Sequence, residues 1–282
     1  MSDSTDDPSG ASLSYSNILE REMENALKEL RRPSRGLFLS GFSAGLNLSF
    51  GALFMGMVLT FSPTFSSELI KQALLAGSSS IAFLFVVLGQ TELFTAHTTL
   101  AVLPVLDDRS GLGELGRLWG VVYAANLLGC AVFAGLIAVL GPEMTIVTPA
   151  AFDSLAGSLL SHPSWVILLS GIVAGWLMGL TTWLVAASRD TIGQVLITLL
   201  VTSAIGFGPF HHAILGTTEV LGAMFMGTGV TLGQFGRFIA MTTAGNVIGG
   251  SVFVAGLNYG HIALVGSDAD LDVDSPETEQ GD

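Results

Sequence analysis

From Gly36 to Ser67 the chain carries no charged side chain, and the same holds from Leu118 to Pro142, Ser154 to Ser188 and Phe238 to Ser267. Runs of this length cross a bilayer as helices of about 20 residues. Two further stretches, Gln72 to Gln90 continuing to Val105 and Thr191 to Thr218 continuing to Met226, are apolar but interrupted near their middles. Only 12% of the residues are charged and the mean hydropathy is +0.66, outside the range of an ordinary soluble domain. The pattern predicts an all-α membrane protein with six transmembrane segments, of which the second and fifth are broken.

The basic residues orient these segments. Arg21, Lys28, Arg31, Arg32 and Arg35 precede segment 1, Arg109 and Arg117 follow segment 2, and Arg189 follows segment 4. Only Lys71 and Arg237 fall on the other side, so the positive-inside bias places both termini in the cytoplasm of a multi-pass plasma-membrane protein. The formal charge of −13 comes largely from the two ends, residues 1–30 and 267–282. Three regions follow: a cytoplasmic tail over 1–35, a membrane domain over 36–265, and an acidic, disordered cytoplasmic tail over 266–282. Tyr15 to Leu30 spaces Ile18, Met23, Leu27 and Leu30 as an amphipathic helix would, predicting one that lies on the cytoplasmic lipid face. The acidic, polar start does not read as a cleavable signal peptide. Acidic tails repel nucleic acid, so membrane lipid is the expected surrounding and nucleic acid is not a partner. Two lysines among so many acids is also the balance of proteins from salt-loving organisms. Cys130 is the sole cysteine and reads as a small packing residue.

An internal match sets the architecture. Asn126 to Phe133 (NLLGCAVF) matches Asn246 to Phe253 (NVIGGSVF), and Gly41 to Gly45 (GFSAG) matches Gly171 to Gly175 (GIVAG). Segments 1, 2 and 3 therefore pair with 4, 5 and 6. Each half has an odd number of crossings, so the second enters the membrane upside down, as an inverted repeat. In such folds a pair of Gly- or Pro-interrupted segments points to the permeation site near the midplane. Here that pair is LGQTELFTAHTTL (Leu88 to Leu100) and GFGPFHHAILGTTEVL (Gly206 to Leu221). Broken backbone at that depth must line a cavity or be buried in protein. The glycines that recur elsewhere along segments 1, 4 and 6 read as helix-packing positions.

Among the residues at the breaks, His212 is the central candidate, because an imidazole at a narrow point couples protonation to an anion beside it. The plainer alternative is a neutral histidine bonded to a hydroxyl or carbonyl. His211 points elsewhere, either into the site or into a vestibule wall. In the first break Thr95 supplies a hydroxyl, Leu93 and Phe94 an apolar constriction, and Glu92 a carboxyl. Glu92 either titrates in the pathway or caps the half-helix that follows, and the cap is favoured because carboxylates are stabilised at helix N-termini. His97, Thr98 and Thr99 are vestibule lining or polar linkers. Glu219 is an intramembrane acid and so a functional candidate, unless Thr217 or Thr218 partners it. HHAIL is not HExxH, and the chain has no GxSxG, P-loop or CxxC, so no enzyme, cofactor or metal site is indicated.

ELFTA at the first break, FHH at the second and GNVIGG in the last segment together resemble the formate/nitrite transporter family over about Gly36 to Leu264. The resemblance implies an aquaporin-like protomer of two inverted three-helix repeats, a homopentamer with one pore per protomer, and passage of small monovalent anions such as formate, nitrite or hydrosulfide, often with a proton. It implies that His212 is the central pore histidine, Thr95 the threonine of the interrupting loop, Leu93 and Phe94 its gate residues, and Phe210 the start of the histidine motif. The chain departs from the family pattern where an acid is His211, where asparagines appear as Gly216 and Gly175, and where a lysine near the start of helix 4 is missing. It therefore reads as a divergent branch. The leading expectation is a channel or secondary transporter for a small anion or weak acid. The alternatives are an aquaporin-like channel for a small neutral solute and a non-conducting membrane scaffold.

Overall fold

Ser14 accepts a hydrogen bond from the Asn17 backbone N–H at 3.2 Å and so starts the first helix, α1 (Tyr15–Arg31). In this computed structural model, which describes residues 13–265, the chain continues as α2 (Ser34–Phe61), α3 (Glu68–Leu88), α4 (Phe94–Leu100), α5 (Leu103–Leu106) and α6 (Leu112–Glu143). Then follow α7 (Pro149–Leu160), α8 (Ser164–Ala187), α9 (Thr191–Phe207), α10 (Ala213–Phe225), α11 (Leu232–Gly250) and α12 (Leu257–Val265). The described residues contain no strand. Five helical runs are long and apolar enough to cross a membrane: α2, α3, α6, α8 and Leu232–His261, which joins α11 to α12 through a π-helical stretch, Ser251–Gly256. The other long apolar stretch is divided between α9 and α10, each too short to cross alone. The acidic C-terminal tail read as disordered lies outside the described residues.

Helix α1 exists as the spacing predicts, but its buried face packs on protein. Ile18, Met23, Ala26 and Leu30 are buried, and α1 lies against α4, α5, α6, α8 and α12. A second difference concerns the uncharged run Ser154 to Ser188, read above as a single crossing. Thr148 caps α7 through the Ala151 N–H, Pro149 occupies its first turn, and the helix ends at Leu160. Pro163 then keeps His162 out of helical geometry, so α8 begins only at Ser164. Hydropathy alone does not separate the two helices, because the break residues are themselves uncharged.

The two halves repeat each other's contacts. Arg117 on α6 donates to the carbonyls of Leu30 and Arg32, where α1 ends. Arg237 on α11 donates to the carbonyls of Leu160 and His162, where α7 ends. Each arginine thereby satisfies helix-terminal acceptors that have no partner within the helix. So α7 holds in the second half the place that α1 holds in the first, with Pro33 and Pro163 leading into α2 and α8. The helix crossings match too. A Cβ on Gly45 would stand 2.3 Å from the Asn126 carbonyl oxygen, and one on Gly175 would stand 2.3 Å from that of Asn246. Only glycine lets α2 approach α6, and α8 approach α11, this closely.

Candidate functional site

Between α3 and α4, and again between α9 and α10, the helical ladder stops, and one asparagine mends each gap. Asn126 Oδ1 accepts from the Phe94 N–H at 2.8 Å, while its Nδ2 donates to the carbonyls of Gly41 at 2.7 Å and Glu92 at 2.9 Å. Asn246 Oδ1 accepts from the Ala213 N–H at 2.9 Å, while its Nδ2 donates to the carbonyls of Gly171 at 2.8 Å and His211 at 3.0 Å. Both side chains are fully buried. Unpaired backbone groups in an apolar interior are costly, and these two amides use one acceptor and two donors each to prevent that. They were visible in the sequence only as the identical first letters of the matched NLLGCAVF and NVIGGSVF stretches.

The clamped gaps bring Thr95 and His212 together, Thr95 Oγ1 lying 2.9 Å from His212 Nε2. Across the first turn of α10, the Leu215 N–H donates to His212 Nδ1 at 3.1 Å, making His212 the helix N-cap. A neutral imidazole whose Nδ1 accepts must carry its proton on Nε2, so His212 donates to the Thr95 oxygen. The hydroxyl proton of Thr95 has no acceptor among the described residues. Phe83 meets the His212 ring edge-on, with centroids 5.1 Å apart.

His211 is turned to a different task. Its Nε2 donates to the Leu159 carbonyl at 2.9 Å, which leaves Nδ1 to accept from Ser170 Oγ at 2.8 Å. The same Ser170 oxygen accepts from the His211 backbone N–H at 3.1 Å. His211 thus ties the second break to α7 and α8. With both ring nitrogens of each histidine engaged by protein groups, the adjacent pair has none left over to share a metal ion.

Glu92 corrects an expectation. It does not cap α4, whose N-cap is Leu93 and has no side-chain cap bond. Its carboxylate instead lies 2.5 Å from His97 Nε2 and 3.0 Å from Arg32 Nη1. Arg32, just after α1, also pairs with Glu29 at 3.0 Å, so the ionic partner arrives from sixty residues away and outcompetes the local backbone. Thr98 and Thr99 bond within the interior, Thr98 to the Thr95 carbonyl and Thr99 to the Gly250 carbonyl. Phe94 packs its ring on Tyr123 and Trp119 of α6, with centroids 4.7 and 5.9 Å apart.

Two cavities approach this seam from opposite ends. The one on the α1 side has a volume of about 1370 Å³, and Glu92, Leu93 and His97 are among the residues that line it. The one on the α7 side, about 270 Å³, reaches Phe210, His212, Leu215 and Glu219. Glu22 on α1 also faces the larger cavity; it is 3% exposed and its Oε2 has no partner. Burial pushes its carboxyl up to about 8 from 4.5. The docked helix therefore holds a proton that the undocked helix releases between those values, so docking weakens as pH rises through that window. Hydrogen exchange in α1, corrected for its intrinsic pH dependence, should accelerate about tenfold or more between pH 5 and 9, and Glu22→Gln should flatten that profile. An equal acceleration in the variant would exclude Glu22 as the cause.

A family model described as "Formate/nitrite transporter" matches residues 16–260. The inner membrane protein YfdC of Escherichia coli (strain K12) is 28% identical over 247 residues, covering 87% of this chain and 78% of that protein. The uncharacterized transporter YrhG of Bacillus subtilis (strain 168) is 30% identical over 254 residues, covering 86% of this chain and 90% of the relative. Among solved structures, a pentameric formate channel with formate bound superposes with a TM-score of 0.72 at 23% identity, covering 82% of this chain and 98% of that one. By name YrhG is a transporter and the solved structure a channel, and the matched family is one of transporters, not enzymes.

Proposed function

Because the chain belongs to the formate/nitrite transporter family, we propose that it conducts a small monovalent anion, or its conjugate weak acid, through a pore in each protomer of a homopentamer. The observation that carries this reading is the Thr95–His212 hydrogen bond at the junction of the two broken segments, with a cavity approaching from each side. The solute leaves the α7-side cavity past Phe210 and Leu215, sheds water, and meets the Thr95 hydroxyl before passing Leu93. His212 donates to Thr95, and Thr95 donates to the solute. That chain of donors is polarised toward negative charge without His212 giving up its proton. Of the two roles open to His212, hydrogen-bond donor and proton donor, the tautomer supports the first.

The inverted repeat extends this reading. The paired asparagine clamps, arginine caps and glycine crossings support two halves of three crossings each, related by a pseudo-two-fold axis in the membrane plane. The α1 side is then cytoplasmic and the α7 side external. A second reading, passage of a small neutral solute, is favoured by one feature. The single cation lining the α7-side cavity, Lys71, is paired with Glu68 at 2.7 Å, so that cavity has no uncompensated positive charge to attract an anion.

Uptake of formate, nitrite, acetate and glycerol into proteoliposomes at two external pH values separates these readings. The acids should enter faster at the lower pH, and His212→Phe should cut that uptake by about tenfold or more, the effect of losing the donor that holds and polarises the Thr95 hydroxyl toward the solute. Wild-type acid flux in the variant would sink the mechanism, and permeation of glycerol alone would favour the neutral-solute pore.

A further inference from the structure

One buried group takes no part in the arrangement above. Glu219 lies on α10, seven residues beyond His212, and is 6% exposed. It has no hydrogen bond or ion pair among the described residues. The two neighbours able to serve it are committed elsewhere: Thr217 donates to the Ala213 carbonyl at 2.7 Å, and Thr218 shares a hydrogen bond with Ser49 at 2.7 Å. His212, Leu215, Gly216 and Glu219 all line the α7-side cavity. Their spacing of three, four and seven residues makes them one stripe along α10, with Glu219 about 10 Å farther out than His212 at 1.5 Å per residue.

The charges around this stripe are few. From α3 the cavity receives Glu68 and Lys71, which neutralise each other. Arg237 on α11 is occupied by the carbonyls of Leu160 and His162, and His97 on α4 by Glu92. Asp153 on α7 and Glu143 on α6 are solvent-exposed. No positive group therefore offsets an ionised Glu219. An anion entering the cavity would meet a like charge in a low-dielectric wall, where the repulsion is large.

We propose that Glu219 is the proton donor of the α7-side cavity, so that a small carboxylate or nitrite is taken up there only together with a proton. This rests on the weak-acid reading of the pore and supplies the proton that His212 does not. The Glu219 carboxyl O–H bond breaks, its proton passes to an oxygen of the anion, and a neutral acid and a Glu219 carboxylate result. The acid continues past Thr95 without carrying charge through the constriction. The carboxylate is reprotonated from solution through the open mouth of the cavity. Net movement is one anion and one proton in the same direction.

The test is proteoliposome uptake of formate from pH 5 to pH 8 for wild type, Glu219→Gln and Glu219→Asp. In wild type the apparent KM for total formate should rise as pH rises. Glu219→Gln, which neither ionises nor gives up a proton, should show a KM that no longer varies with pH in excess of the formic acid fraction, and a maximal rate at least tenfold lower. Glu219→Asp should retain the pH dependence. An unchanged KM profile and rate in Glu219→Gln, with His212→Phe still impaired, overturns the role of Glu219 while leaving the pore reading intact. Acid flux absent from wild type overturns both. A direct readout accompanies these: infrared difference spectra of wild type on formate addition should show the Glu219 protonated-carboxyl band giving way to a carboxylate band as a formic acid carbonyl band appears, a change missing in Glu219→Gln. Formate binding with no such change also overturns the proposal.

Discussion

Replacing Asn246 with leucine should abolish transport and leave little correctly assembled protein. The two side chains are similar in size, so the effect isolates the amide. Leucine strands the Ala213 N–H and removes the donor from the carbonyls of Gly171 and His211, all at a fully buried position. Each such group costs about 1–3 kcal/mol, and three together approach the whole stability of a typical domain. His212 stands between two of the released groups, so its contact with Thr95 should be lost before the fold is. Size-exclusion profiles and thermal melts in detergent, with formate uptake in parallel, read both effects. Asn126→Leu should do the same at the first break. A variant that elutes, melts and transports as wild type would show that the clamps carry no weight.

The second large effect should come from Gly175→Val. A Cβ at this position would stand 2.3 Å from the Asn246 carbonyl oxygen and 2.6 Å from its Cα. Those are backbone atoms in mid-helix, so neither a rotamer change nor a side-chain shift relieves the overlap. The helices α8 and α11 must separate, which carries Asn246 away from the second break. Overpacking of a close contact costs about 3 kcal/mol, and the strained clamp adds to it. Melting well below wild type, with flux falling in step, is expected. Gly77→Ala is the matched control, because a Cβ there meets nothing within 4 Å. Equal melting of the two variants would refute the close-approach argument.

Much of this protein was legible one residue at a time. Uncharged length marked the crossing segments, and Gly206, Gly208 and Pro209 marked the second interruption, because transfer free energy and backbone freedom belong to individual residues. The match of NLLGCAVF with NVIGGSVF located the asparagines, though without their purpose. The splitting of α7 from α8 was not legible, since hydropathy reports how well a segment tolerates lipid and not where its axis turns. The kinship of α7 with α1 was equally hidden, for one is apolar and the other is amphipathic and charged, and they correspond only in where an arginine caps them.

The partners of the polar groups were hidden for a different reason. Glu92 reaches Arg32 and His97, His211 reaches Ser170 and Leu159, and Thr95 reaches His212 across more than a hundred residues. A carboxyl or imidazole takes whichever donor or acceptor the fold brings within hydrogen-bond distance, and sequence neighbours have no advantage in that competition. By itself, then, the sequence determined that the chain has the apolar length to cross a membrane and where its second and fifth apolar stretches are interrupted, since these follow from local hydropathy, glycine and proline. Only the tertiary structure decided which buried polar groups are spent on holding the breaks together. It left Glu219 unspent in the cavity, because satisfying a buried polar group is a matter of distance in space and not along the chain.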